Sequence, residues 1–216
     1  MIPTQRGSFI SDLGALLGSR FVIIGIGFAI SIITARVLGP ENRGIVSATM
    51  AIPLLLAPLG ELGVRQTAQY YIAKQLRDDQ SIISTIGFFN ALVTGFVILA
   101  GLIIGFVTGN IERYGWLLLF VALLSTPPSF IASCYSGVLM GKGRLKLIAR
   151  GEIIHAASNF LLLGLMFIFP EDMRKFGVIL AGVIALTIKA AFVLYYVRQY
   201  GTLGIRYIPG LPPAHV

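Results

Sequence analysis

Ionisable side chains set inside apolar stretches are where this chain could do chemistry. Glu152, His155 and Asn159 stand at i, i+3 and i+7, a spacing that puts all three on one face of a helix. Lys189 and Arg20 are single cations in apolar surroundings, and Glu61 precedes Arg65 by four residues at the edge of another apolar run. A charge at the centre of a bilayer costs about 2.5–3.5 kcal/mol on insertion scales, so such residues turn toward a bundle interior or a watery cavity. Cations in a cavity could hold an anionic group and offset its desolvation. A carboxylate there could exchange a proton or a sodium ion. Each residue also has a plainer account. Lys189 and Arg20 could snorkel to the interface along their own helices. Glu152, His155 and Asn159 could form an interhelical hydrogen-bond seam without a ligand. Glu61 and Arg65 could form a local ion pair, or serve in coupling or gating.

Enzyme chemistry finds no foothold. The chain has no Gly-rich phosphate loop followed by Lys-Ser/Thr, no His-Glu-x-x-His and no Gly-x-Ser-x-Gly. No catalytic residue and no cofactor is expected. With one cysteine, Cys134, and two histidines, His155 and His215, no disulfide and no metal site is expected either. Asp78-Asp79 and Glu171-Asp172 lie in polar connectors beside opposite charges and read as solvated loops.

The elements that must position these residues are membrane helices. Residues 80–111 and 114–141 contain no Asp, Glu, Lys or Arg, and about 20 apolar residues suffice to cross a bilayer core. Hydrophobic residues make up 56% of the chain and charged residues 12%, against about 25% charged in soluble domains. The net charge of +8 therefore reflects loop topology and not nucleic-acid binding. The pattern predicts an all-α bundle of six transmembrane helices: about Leu13 to Leu38, Ile45 to Val64, Ser81 to Val107, Gly115 to Met140, Gly151 to Phe169 and Phe176 to Val197. The first is read as an uncleaved span and not a signal peptide. Gly39 to Gly44 is a short turn, and Pro53 and Pro58 are expected to kink the second helix. Gly14/Gly18 and Gly25/Ala29 are four apart, which predicts close packing of the first two helices through small residues. The N-terminal segment, the 2–3 and 4–5 connectors and the tail hold 11 Lys/Arg, and the opposite side holds 5. That asymmetry puts both termini in the cytoplasm. Arg20, Glu61, Arg65, Glu152 and His155 then all lie toward the cytoplasmic ends of their helices, and Lys189 at or just on the cytoplasmic side of the midplane.

Residues 35–44, Ala-Arg-Val-Leu-Gly-Pro-Glu-Asn-Arg-Gly, resemble the turn between the first two helices of polysaccharide flippases, a family of the multidrug/oligosaccharidyl-lipid/polysaccharide exporter superfamily. The resemblance continues through Glu61-Leu62-Gly63-Val64-Arg65 and Tyr71-Ile72-Ala73-Lys74. It reappears at Gly141-Lys142-Gly143-Arg144, similar to the family's basic loop after helix four. It implies a protein of the cytoplasmic (inner) membrane that moves a saccharide linked to undecaprenyl diphosphate between leaflets for cell-surface polysaccharide such as O-antigen. It also implies a polysaccharide polymerase and glycosyltransferases as working partners. Members have two six-helix lobes with an alternating central cavity whose cations hold the diphosphate. Arg20 and Lys189 resemble those cations by position in helices one and six.

The resemblance covers nearly all of residues 8–205, which is one N-terminal lobe. Residues 1–205 are read as that lobe and 206–216 as a short polar, Pro-containing tail. Three explanations compete for a single lobe: a truncated or frameshifted product marked by that tail, pairing with a separately encoded second lobe, or a homodimer. Two other functions stay open. A cation-coupled exporter of the same superfamily would want a carboxylate at mid-membrane depth, and none is expected there. A non-transporting membrane interaction subunit is the other.

Overall fold

The computed structural model describes residues 6–61, 63–109, 115–201 and 203. Among them the regular elements are all helices: α1 (Arg6–Glu61), α2 (Val64–Ala73), α3 (Asp79–Val107), α4 (Trp116–Leu123), α5 (Thr126–Gly141), α6 (Leu145–Leu165), a 3-10 turn (Met166–Ile168) and α7 (Glu171–Val197). Five helical stretches are long and apolar enough to cross a membrane: Leu17–Ala57, Asp79–Val107, Trp116–Gly141, Leu145–Ile168 and Met173–Val197. The chain is an all-α, multi-pass membrane bundle. α1 begins at Arg6, seven residues before the expected Leu13, so Ser11 and Asp12 lie inside the helix and neither caps it. The turn at Gly109-Asn110 lies partly, and the tail 206–216 wholly, outside the described residues.

Leu17–Ala57 has 41 residues, about 60 Å of helix and twice the ~30 Å of a bilayer's hydrocarbon core. It holds the expected first and second crossings. The chain turns at Gly39, the residue inside α1 with non-helical torsions, φ 69° and ψ 176°. That region is essentially restricted to glycine. Pro40 restarts the helix with a ring already set to helical φ and no N–H to leave unpaired. Across the bend, Arg43 Nη2 donates to Ser31 Oγ at 3.0 Å. A straight helix would hold those residues about 18 Å apart, so the two arms fold back on each other. The six-residue turn expected at Gly39 to Gly44 is thus a single residue.

Other boundaries move for identifiable reasons. α1 stays helical through Pro53 and Pro58, and the break comes at Gly63, left-handed at φ 75°. α2 then takes up much of the expected polar connector. The fourth crossing splits into α4 and α5 because Pro127 and Pro128 lack the N–H groups that would bond the carbonyls of Leu123 and Leu124. Ser125 Oγ donates to the Ala122 carbonyl at 2.6 Å within that break. α6 begins at Leu145, six residues before the expected Gly151, and absorbs part of the basic loop.

α4 and α5 form the innermost crossing: Leu118, Leu119, Leu123, Phe130, Val138 and Leu139 are each at most 1% exposed. At the Gly39 end, Leu38 and Val46 of α1 meet Leu118 and Ala122 of α4 and Ile179 and Val183 of α7. At the other end Ile72, Ile83, Tyr135, Val138 and Val193 pack together. Lipid tails are as apolar as leucine, so such contacts hold through close packing more than through water exclusion. Small residues make the closest approaches, though not those expected. Gly18 and Gly25 are exposed, and a Cβ on either would meet nothing within 4 Å among the described residues. The tight contacts are Gly101 and Gly105 of α3 against Leu123 and Leu119, and Gly137 and Gly141 of α5 against the backbone of α2 at Arg65 and Gln69. Both pairs have the small-xxx-small spacing.

Candidate functional site

α6 and α7 run antiparallel, with Gly151 facing Phe192 and Met166 facing Gly177. That register sets Glu152 opposite Lys189, and Lys189 Nζ donates to Glu152 Oε1 at 2.9 Å. The side chains are 15% and 30% exposed respectively. Glu152 lies seven residues from the start of α6 and Lys189 eight from the end of α7, so both sit about 10–12 Å inside their helices. Lys189 therefore reaches sideways to an anion and does not lie along its own helix toward the interface. Pairing removes most of the cost of either charge at that depth.

His155, one turn along from Glu152, is half-buried and lies within electrostatic reach of both Lys189 and Glu152. Asn159, a turn further, is also half-buried. The i, i+3, i+7 stripe thus leads away from the ion pair along α6. Glu152 lies further inside its helix than the expected start at Gly151 would put it, because α6 begins at Leu145.

Arg20 is exposed on α1, and no hydrogen bond or ion pair ties it to the Lys189–Glu152 pair among the described residues. Glu61 and Arg65 do not form their expected ion pair. Gly63 interrupts the helix between them, so they are no longer successive turns of one face. Both stand near Cys134 of α5, and Arg65 Nη2 approaches Met140 Sδ at 3.4 Å.

Two polar features escape sequence reasoning. The first lies at the α3–α5–α7 end, where Lys142 pairs with Asp79 and stacks 5.4 Å above the Tyr200 ring. Arg144 Nε donates to Tyr200 Oη at 3.3 Å. Asp79 is thus a partly buried tether and not a solvated loop residue. The second is Asn90, buried on α3, and Thr126; among the described residues neither side-chain atom of Asn90 nor the Thr126 hydroxyl has a hydrogen-bond partner. Asn90 lines a cavity of about 420 Å³ with Thr94, Pro127, Ile131 and Tyr135. Its signal in the sequence is that of an amide inside a 32-residue uncharged run.

Among the described residues no cluster of three or more His, Cys, Asp or Glu side chains could hold a metal ion. No curated protein and no solved structure matches the chain. A family model does match, over residues 10–211, and its description is "Polysaccharide biosynthesis protein". With residues 10–211 covered by that model, and with an all-helical multi-pass membrane fold, the chain belongs to the polysaccharide biosynthesis protein family.

Proposed function

We propose that this chain is one lobe of a flippase that carries a saccharide on an undecaprenyl diphosphate across the cytoplasmic membrane, with its termini on the cytoplasmic side. The observation that carries the reading is the Lys189–Glu152 pair, a cation held about 10–12 Å inside the helices by a single carboxylate. A diphosphate is the hardest part of such a substrate to bring into a membrane, because its desolvation is costly without a counter-charge. Lys189 supplies that charge, and a phosphate oxygen competes with Glu152 for its ammonium. His155 and Asn159 extend a polar wall from the same point, and Arg20 is a second cation from α1. Glu61 and Arg65 flank the Gly63 break, where a bend between α1 and α2 would change their separation; that is their role in gating. The alternating cavity needs a second lobe. A polymerase and glycosyltransferases act after and before it on the same saccharide.

The position of Glu152 also favours a second reading, cation-coupled export of a small molecule, since a membrane-embedded carboxylate can trade Lys189 for a proton. One experiment addresses both. In cells whose surface polysaccharide depends on this protein, Lys189→Ala and Arg20→Ala should each abolish export per molecule of folded protein in the membrane, and Lys189→Arg should retain part of it. Full export by both alanine variants would remove the proposed site. Saccharide export that survives Lys189→Ala, together with proton-driven drug efflux that Glu152→Gln abolishes, would favour the second reading.

A further inference from the structure

A groove of about 340 Å³ runs between α2 and α3, apart from the Lys189–Glu152 pair on α6 and α7. Val64 and Tyr71 of α2 form one wall, and Thr85, Phe89 and Val93 of α3 the other, with Arg77 at the connector end. We infer that this groove binds one acyl chain of an anionic phospholipid, with the headgroup phosphate on Arg77.

Three properties support that occupant. The first is length. From Ile82 to Val93 the α3 wall is 12 residues, a rise of about 16 Å, which matches one leaflet of a ~30 Å hydrocarbon core. The second is width. The volume spread over that length leaves a cross-section of about 20 Å² between the two walls, the width of one hydrocarbon chain. The third is charge. Arg77 is half-buried at the mouth, and no ion pair engages it among the described residues; Asp79, two residues on, is held by Lys142. A cation at the head of an apolar channel one leaflet deep is complementary to an anionic lipid. Arg77 stands at the Lys/Arg-rich end of the bundle, where anionic lipids of a cytoplasmic leaflet are attracted to basic residues.

The test uses the full chain, purified in detergent, delipidated and titrated with phosphatidylglycerol or phosphatidylcholine while bound lipid is counted by native mass spectrometry. Phosphatidylglycerol carrying a diazirine in its acyl chain maps the contact. Wild type should bind one phosphatidylglycerol in preference to phosphatidylcholine and take the label between residues 64 and 93. Arg77→Gln should weaken binding about fivefold, the worth of one basic residue at a membrane surface. Thr67→Trp, at an exposed wall position, should fill the groove and remove the label while the protein still elutes as a folded species. Arg198→Gln, outside the groove, should change nothing. Equal affinity in wild type, Arg77→Gln and Thr67→Trp would overturn the inference. So would labelling confined to other helices, or binding of undecaprenyl phosphate with no binding of phosphatidylglycerol, which would make the groove a seat for a polyprenyl carrier.

Discussion

Replacing Lys189 by Met should destabilise the bundle more than replacing Lys189 and Glu152 together by Met and Leu. The ammonium and the carboxylate are 2.9 Å apart and 15% and 30% exposed. Removing one partner of a fully buried pair costs about 3–5 kcal/mol, because the other charge is left uncompensated. Here Glu152 keeps partial access to solvent, so about 2–3 kcal/mol is the reasonable expectation for Lys189→Met. The double replacement removes both charges and leaves no orphan, so its net cost should fall within about 1 kcal/mol of zero. Glu152→Leu orphans the more buried ammonium and should cost about as much, so the cycle predicts a coupling energy of about 4 kcal/mol or more. Reversible unfolding in mixed micelles, followed by circular dichroism and by accessibility of Cys134, gives each corner of the cycle. Additive single and double variants, with coupling under about 0.3 kcal/mol, would mean the pair does not form in the membrane, and the placement of α6 on α7 would be wrong.

Gly39→Ala forces a Cβ into backbone torsions that alanine avoids; strain of about 1–3 kcal/mol should lower the yield of folded protein, as read by detergent-resistant fluorescence of a fusion. Gly137→Leu should be more damaging than Gly25→Leu, because a side chain at 137 meets the backbone of Arg65 while one at 25 meets nothing described; protease resistance in membranes distinguishes them, and equal losses would refute the packing assignment. A cysteine at Gly143 should react with a membrane-impermeant maleimide from the cytoplasmic face and one at Glu41 from the opposite face; the reverse pattern would invert the topology. Asp79→Asn should free Lys142 and speed trypsin cleavage after it, since the basic loop loses its tether to α3.

The helices were legible because a bilayer imposes a length. A run of 32 residues without a charge can hardly be anything but a crossing with its turns. The face shared by Glu152, His155 and Asn159 was legible too, since helical periodicity needs no knowledge of neighbours. Their partner was not. Lys189 is 37 residues away, and only the register of α6 on α7, set by Gly151 against Phe192 and Gly177 against Met166, brings the two together. Glycine spacing shows the same limit. Gly14/Gly18 and Gly137/Gly141 have identical spacing, yet among the described residues only the second pair meets another helix closely, because spacing describes one helix and packing needs two. The Glu61–Arg65 pair failed for a local reason: a left-handed glycine between them breaks the periodicity that the inference assumed. Leu-Gly-Pro, by contrast, gains a physical meaning from the structure, with Gly39 supplying the torsion and Pro40 the restart.

The Lys189–Glu152 contact also has an electrical consequence. A single elementary charge moved through a membrane potential of 100 mV does about 2.3 kcal/mol of work. The pair carries one positive and one negative charge at nearly the same depth, so its helices can shift together in the field with almost no work done on them. A conformational cycle built on this contact is indifferent to voltage while the site is closed on itself. Only when the carboxylate is neutralised or the ammonium takes on a different anion does the site acquire a net charge, and only then can the potential choose a direction.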